Sequence, residues 1–310
     1  MKNLKIYLIL VGTMVVWGVN VPVLKIIVER FMPITATSIR IFIAGITVFV
    51  ILSWFKLVRK PTKKEVIYIV LGSLLSVVFH HSFLAMGLTK TTAVNGGLIL
   101  GLGPLLTAIL ASVLLKEIPS FIRVIGFLLG SLGVFITVLA GGNGLSGGSV
   151  GDLYVFLAIT SQALSFILIS KAAKTLDPRL LTGYMLIIGA IILFIISLIK
   201  EPGGLQSLSK VEGSSWAWLL ASGIFATALG HMIYNFAIGR IGAAEASIFM
   251  NLNIFFALLG SALLLGEQIK AAHLFGVVFI VAGVILGSGT YEILMLRRIE
   301  RRKRKDVSPL

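Results

Sequence analysis

Few side chains in this chain could hold or move a charge inside long apolar stretches: Arg40, His81, His231 and Glu245. Beside them stand the amides Asn20, Asn95, Gln162 and Asn251 and the amphipathic rings of Trp17 and Tyr184. A guanidinium offers a fixed fork of donors to a carboxylate or phosphate. An imidazole titrates near neutral pH, and amides with an indole grip a polar solute. This is equipment for binding and for proton movement rather than for breaking bonds. The sequence has no cysteine, which removes a thiol nucleophile, a thiolate metal site and a disulfide. It has no H-E-x-x-H pattern, no P-loop and no carboxylate cluster suited to a divalent metal. The expectation is a non-enzyme with no cofactor and no metal.

Membrane helices must position these residues. Of the 310 residues 57% are hydrophobic and 13% charged, against about 25% charged in a soluble domain. Ten long uncharged stretches can be read, at about 20 residues per crossing. They cover 4–28, 34–57, 66–88, 92–115, 121–140, 153–170, 180–199, 215–239, 243–265 and 271–291. The first is too long, and lacks the small-residue site, for a cleaved signal peptide. With the N-terminus inside, 20 of the 27 basic residues fall on the inner side and 6 on the outer, with Arg40 inside the second span. This asymmetry predicts a multi-pass protein of the cell membrane with both termini cytoplasmic. The basic tail from Arg297 to Lys305 reads as an anchor against anionic lipid headgroups. No folded basic surface or stacking platform suggests nucleic acid. The expected partners are a small-molecule substrate and membrane lipids, with a homodimer left open.

The chain repeats itself. A glycine-rich stretch, 141–148, lies near its middle, and an offset of 150 brings His81 onto His231, Lys90 onto Arg240 and Glu117 onto Glu267. Gly126 and Gly133 meet Gly276 and Gly283 at that offset, while Pro33 meets Pro178 at 145. The division predicted is 1–140, a linker at 141–152, 153–291, and a tail at 292–310. Five spans per half is odd, so the halves enter the membrane in opposite senses. The fold class expected is all-α integral membrane, with ten transmembrane helices in two inverted five-helix repeats. Such repeats place a solute near the midplane and expose it to each side by rocking.

Trp17-Gly18-Val19-Asn20, Pro33, the Leu114-Leu115-Lys116-Glu117 close of span 4 and the Leu-rich Gly266-Glu267 close of span 9 carry a resemblance. They are similar to the EamA-type branch of the drug/metabolite transporter superfamily, over roughly 6–140 and 153–290. The resemblance implies secondary transport, mostly export, of a small metabolite such as an amino acid, or of a drug. The second half departs from the pattern: Gln162-Ala163 stands where Trp-Gly would fall, and Ile254 is the counterpart of Pro104. Proton antiport is the favoured coupling. A facilitated-diffusion permease is the alternative, and a lipid scramblase or an interaction module a more distant one.

The expected solute site is a cavity lined by Trp17, Asn20, Arg40, Asn95, Gln162, Tyr184 and Asn251, polar or aromatic residues in spans too apolar to carry them idly. Arg40 alternatively snorkels outward, and Pro22 either bends span 1 for packing or frees the Gly18 carbonyl toward the solute. Proton coupling is assigned to His81, His231 and Glu245, with His231 and Glu245 forming a relay on one hairpin. The competing role for His81 and His231 is an interhelical hydrogen bond, and for Glu245 complementing a helix dipole. His80, about 100° around the helix from His81, is expected to face away from any narrow path. The pairs Gly97/Gly101, Gly126/Gly130 and Gly283/Gly287 have the spacing of close helix contacts.

Overall fold

The computed structural model describes residues 2–141, 148–266, 268–292 and 294–295. Glu267, most of the glycine-rich stretch and the basic tail from 296 lie outside these residues. Among the described residues ten main helices succeed one another: α1 Lys2–Arg30, α2 Pro33–Trp54, α3 Lys63–Leu88, α4 Ala93–Leu114, α5 Phe121–Gly141, α6 Val150–Ala172, α7 Pro178–Lys200, α8 Gly213–Ile241, α9 Ala243–Leu265 and α10 Ala271–Gly287. Among the described residues nine are long and apolar enough to cross a membrane, and α10 is a shorter apolar helix of 17 residues. We call the end holding the α1–α2 turn outer and the end holding the α2–α3 turn inner, after the charge asymmetry.

Four spans are not plain α-helix, and they correspond between halves. In α3 residues Ser73–Phe79, and in α8 residues Ser222–Leu229, wind as π-helix. A π-turn inside an α-helix changes the angular phase of the residues beyond it, here His80-His81 and Gly230-His231. In α4 the chain tightens at Leu102, whose N–H reaches back three residues to Ile99 O, and restarts at Gly103-Pro104. Pro104 has no N–H to continue the ladder. In α9 a similar tightening, Phe249 N–H to Ala246 O, occurs without a proline. The offset between halves grows from 145 to 150 at the α7–α8 connection, where Gly204–Ser207 and Leu208–Lys210 add two short helical turns.

Helix partners obey an exchange of halves. α1 packs on α9 as α6 packs on α4, α2 packs on α8 as α7 packs on α3, and α2–α7 and α5–α10 pair across the exchange. The α5–α10 seam is backbone on backbone. Gly126 lies against Gly287 and Gly283, and Gly283 lies against Gly130. Apolar helices lack a hydrophobic drive to associate in lipid, so such close approach supplies dispersion contact instead.

One boundary differs from expectation. The linker predicted to reach 152 ends earlier: Ser149 caps α6, its hydroxyl accepting from Asp152 N while Asp152 Oδ2 accepts from Ser149 N. Ser149 stands in a Gly-x-Ser-x-Gly run, the spacing of a nucleophile elbow, yet its hydroxyl is engaged in this cap. Pro22 does not interrupt α1, which runs unbroken past it. The Gly18 carbonyl and the Pro22 ring face Gly260 of α9, so of its two expected roles the proline serves packing.

Candidate functional site

A cavity of about 700 Å³ lies between the halves. Its mouth is at the outer end, among Val28, Pro33, Leu88 and Lys200, and its depth reaches Trp17, Gln162, Phe166 and His231. Below that it is sealed. Tyr234 is fully buried, with its ring 5.1 Å from Trp17 and 5.2 Å from Phe166. Leu10 and Met14 are also fully buried. Toward the inner end, the Tyr7 hydroxyl donates to Glu245 Oε1 at 2.6 Å and lies 3.0 Å from Ser288 O. Arg123 bridges Glu245 and Glu292, at 3.1 Å to each. The cavity is thus open at the end called outer and closed at the end called inner.

The π-turn of α8 builds the polar wall. Thr227 Oγ1 donates five residues back to Ser222 O at 3.1 Å, the spacing of a π register. That hydroxyl accepts from Arg40 Nη1 at 2.8 Å. The neighbouring Ala226 carbonyl accepts the Trp17 indole N–H at 2.7 Å. Gly230 is required here, because a Cβ would overlap the Trp17 ring. His231 Nδ1 lies 3.0 Å from Thr227 O, and its ring is 5.1 Å from that of Trp17. A carbonyl oxygen only accepts, so Nδ1 carries the hydrogen and Nε2 keeps a lone pair. His80 repeats this arrangement on Ala158 O at 3.0 Å.

Arg40 is 7% exposed. No carboxylate pairs with it among the described residues, and none lines the cavity. Glu201, next to Lys200 at the mouth, caps α2: it accepts from Ile34 N and Thr35 N at 2.8 Å and from Thr35 Oγ1 at 2.7 Å. A negative charge there answers the positive end of the helix.

The cavity gathers Trp17, Asn20, Arg40 and Gln162, together with His81 and His231. Trp17 and Gln162 are counterparts at the 145 offset, and His81 and His231 at 150. Three residues expected on its wall stand elsewhere. Asn95 is at the outer end of α4, where its Nδ2 donates to Asp152 Oδ2 at 3.2 Å. Tyr184 is toward the inner end, its hydroxyl on Arg59 O at 2.9 Å and its ring edge-on to Phe49. Asn251 is 1% exposed, with its amide over Gly130 of α5. Asn253 reaches the cavity in its place. Two residues along a helix lie about 200° apart, so the tightened turn just before sets which amide faces in.

The His231–Glu245 relay is also corrected. Glu245 is bonded to Tyr7 and lines a separate inner cavity with Arg123, while His231 faces Trp17 and the large one. His80 was expected to face away, yet it lines the cavity with His81, the two rings 5.1 Å apart. The space is wide enough to receive neighbours on one helix. Thr227 and Asn253 had no sequence signal beyond being polar in an apolar span; Lys200 had a positive charge at a span end.

The chain matches the model of the EamA-like transporter family twice, over residues 4–139 and 149–289. It is 32% identical over 301 residues to the uncharacterized transporter YyaM of Bacillus subtilis, covering 94% of this chain and 96% of the relative. It is 27% identical to the uncharacterized transporter sll0355 of Synechocystis, covering 98% and 96%. A WAT1-related chloroplastic protein of Arabidopsis thaliana is 27% identical, covering 90% of this chain and 68% of that protein. One solved crystal structure, 17% identical, superposes with a TM-score of 0.78 over 94% of this chain and 98% of the other, a likeness of fold. With its two matched copies and its ten apolar helices, this multi-pass membrane chain belongs to the EamA-like transporter family.

Proposed function

We propose that the protein is a secondary transporter that carries a small organic solute across the plasma membrane by alternating access. The halves 1–140 and 153–291 rock about the cavity between them, and both termini lie in the cytoplasm. The observation that carries this reading is a cavity open at one end, lined by equivalent residues of both halves and sealed at the other by a defined hydrogen-bonded network.

Proton antiport is the coupling. Its support is the pair of imidazoles, His80 and His231, each with Nδ1 tied to a carbonyl and Nε2 left as a proton acceptor. His81 stands beside them. An inward proton gradient then drives the solute out. Counterflow of a solute panel in proteoliposomes, with the pH gradient varied, tests both parts. Saturable exchange supports the carrier, and its absence across amines, acids and neutral solutes sinks it. Exchange that ignores the pH gradient reduces the protein to a facilitated-diffusion permease.

A further inference from the structure

The transport reading leaves the solute's chemistry open, and the cavity narrows it. We infer that the solute is an organic anion, a carboxylate on an apolar body, whose charged group is held by Arg40. The inference rests on the transport reading for its purpose, though the binding it describes can be measured without transport.

Three observations point the same way. The first is the guanidinium's lack of a counter-ion: among the described residues its one hydrogen bond is to the neutral hydroxyl of Thr227. Its remaining N–H groups are not among the buried polar atoms that lack a partner. Removing a cation from water without an anion is costly, and a bound carboxylate answers it with a two-pronged ion pair.

The second is the sign of the whole cavity. Arg40 and Lys200 line it, and no aspartate or glutamate does. A low-dielectric cleft lined by one sign of charge concentrates the opposite sign and rejects its own. Glu201, next to Lys200 at the mouth, is held on the start of α2.

The third is the rest of the wall. Leu24, Phe166, Leu193, Ile196 and Met250 give it a broad apolar face. An inorganic phosphate would leave that face empty, whereas a carboxylate with a hydrocarbon or aromatic body fills it. A cationic amphiphile has the right body and the wrong sign.

The test uses three probes that share one body: 4-phenylbutyrate, 4-phenylbutanol and 4-phenylbutylamine. Their binding to the purified full chain in detergent is measured by equilibrium dialysis. The carboxylate is expected to bind at least tenfold tighter than the alcohol or the amine. Arg40→Gln should erase that preference, and Arg40→Lys should keep a part of it, with folding checked by size exclusion and circular dichroism. Equal or tighter binding of the amine by the unaltered protein overturns the inference, whatever the variants do. So does a carboxylate preference that survives in folded Arg40→Gln. Counterflow of the same probes separates the two readings. Exchange of the amine alone keeps the carrier and discards the anion site, while tight carboxylate binding without exchange keeps the site and discards the carrier.

Discussion

Tyr7 donates a 2.6 Å hydrogen bond to Glu245, and the residues in their places in the other half are bonded to each other as well. Asp152 stands 145 residues after Tyr7 and Asn95 stands 150 before Glu245, and Asn95 Nδ2 reaches Asp152 Oδ2 at 3.2 Å. One pair joins α1 to α9 at the inner end, and the other joins α6 to α4 at the outer end. The acid has changed helices between them, so the position of the tie persists while its chemistry is reversed. Each acid is further held by its surroundings: Glu245 by Arg123, and Asp152 by the Thr91 hydroxyl and Ser149 N.

Replacing Tyr7 by Phe removes the shorter of these two ties and leaves Glu245 Oε1 short of a donor. Losing a hydrogen bond to a partly buried carboxylate costs about 1–3 kcal/mol, or roughly 5- to 150-fold in an equilibrium. The inner seal should open more often by a factor in that range. A cysteine placed at Met14, which is fully buried beneath the cavity floor, should react faster with a small thiol reagent when Tyr7→Phe is added. An unchanged rate would mean that Arg123 and Glu292 hold the seal alone.

The α5–α10 seam makes a sharper prediction about stability. Gly126→Val places a branched side chain against the backbone of Gly283 and Gly287. Overpacking of a fitted contact costs about 1–3 kcal/mol or more. Gly12→Ala, with open space around it, should instead be neutral or gain up to about 1 kcal/mol of helix propensity. Thermal unfolding in detergent distinguishes them: Gly126→Val should lower the midpoint by several degrees, and Gly12→Ala should not.

The sequence made much of this frame legible, and the limits have physical causes. Spans show themselves because a charge at mid-bilayer is costly, and the halves because His, Gly and Pro recur in register. Arg40, His81 and His231 were readable for the same reason. Their neighbours were not. The 100° between His80 and His81 predicts that one of them stays off the path; the π-turn ahead of them shifts both alike, and the width of the cavity, which has no sequence signature, is what admits both. Similarly, Asn251 and Asn253 are indistinguishable by composition, and only the phase set by the tightened turn in α9 tells them apart. Glu245 and His231 were close along one hairpin, but the face each presents depends on α1 and α5, which are far away in the chain.

Thr227 should position Arg40 rather than bind solute by itself. Thr227→Val keeps the shape and removes the hydroxyl that accepts from Arg40 and donates to Ser222 O. The guanidinium would then lose its tether, and solute affinity should fall by roughly 5- to 150-fold, the equivalent of about 1–3 kcal/mol. Thr227→Ser should restore most of it. Half-saturation in counterflow reads the effect. If the Val and Ser variants weaken binding alike, the methyl group and not the hydroxyl is what matters.

The two amides of α9 test the geometry of the pathway most directly. Asn253 lines the cavity and Asn251 does not, though one residue separates them. Both substitutions should be tolerated, because Asn253 Oδ1 and Asn251 Nδ2 have no hydrogen-bond partner to lose. The natural chain has no cysteine, so single-cysteine variants need no altered background. Asn253→Cys should react with a charged, membrane-impermeant thiol reagent added from outside, and a bound solute should slow it. Asn251→Cys, packed over Gly130, should stay unreactive until the protein is unfolded. Equal labelling of both would mean that α9 is rotated from this phase. Labelling of Asn253→Cys only from the inside would invert the orientation, placing the open mouth of the cavity on the cytoplasmic face.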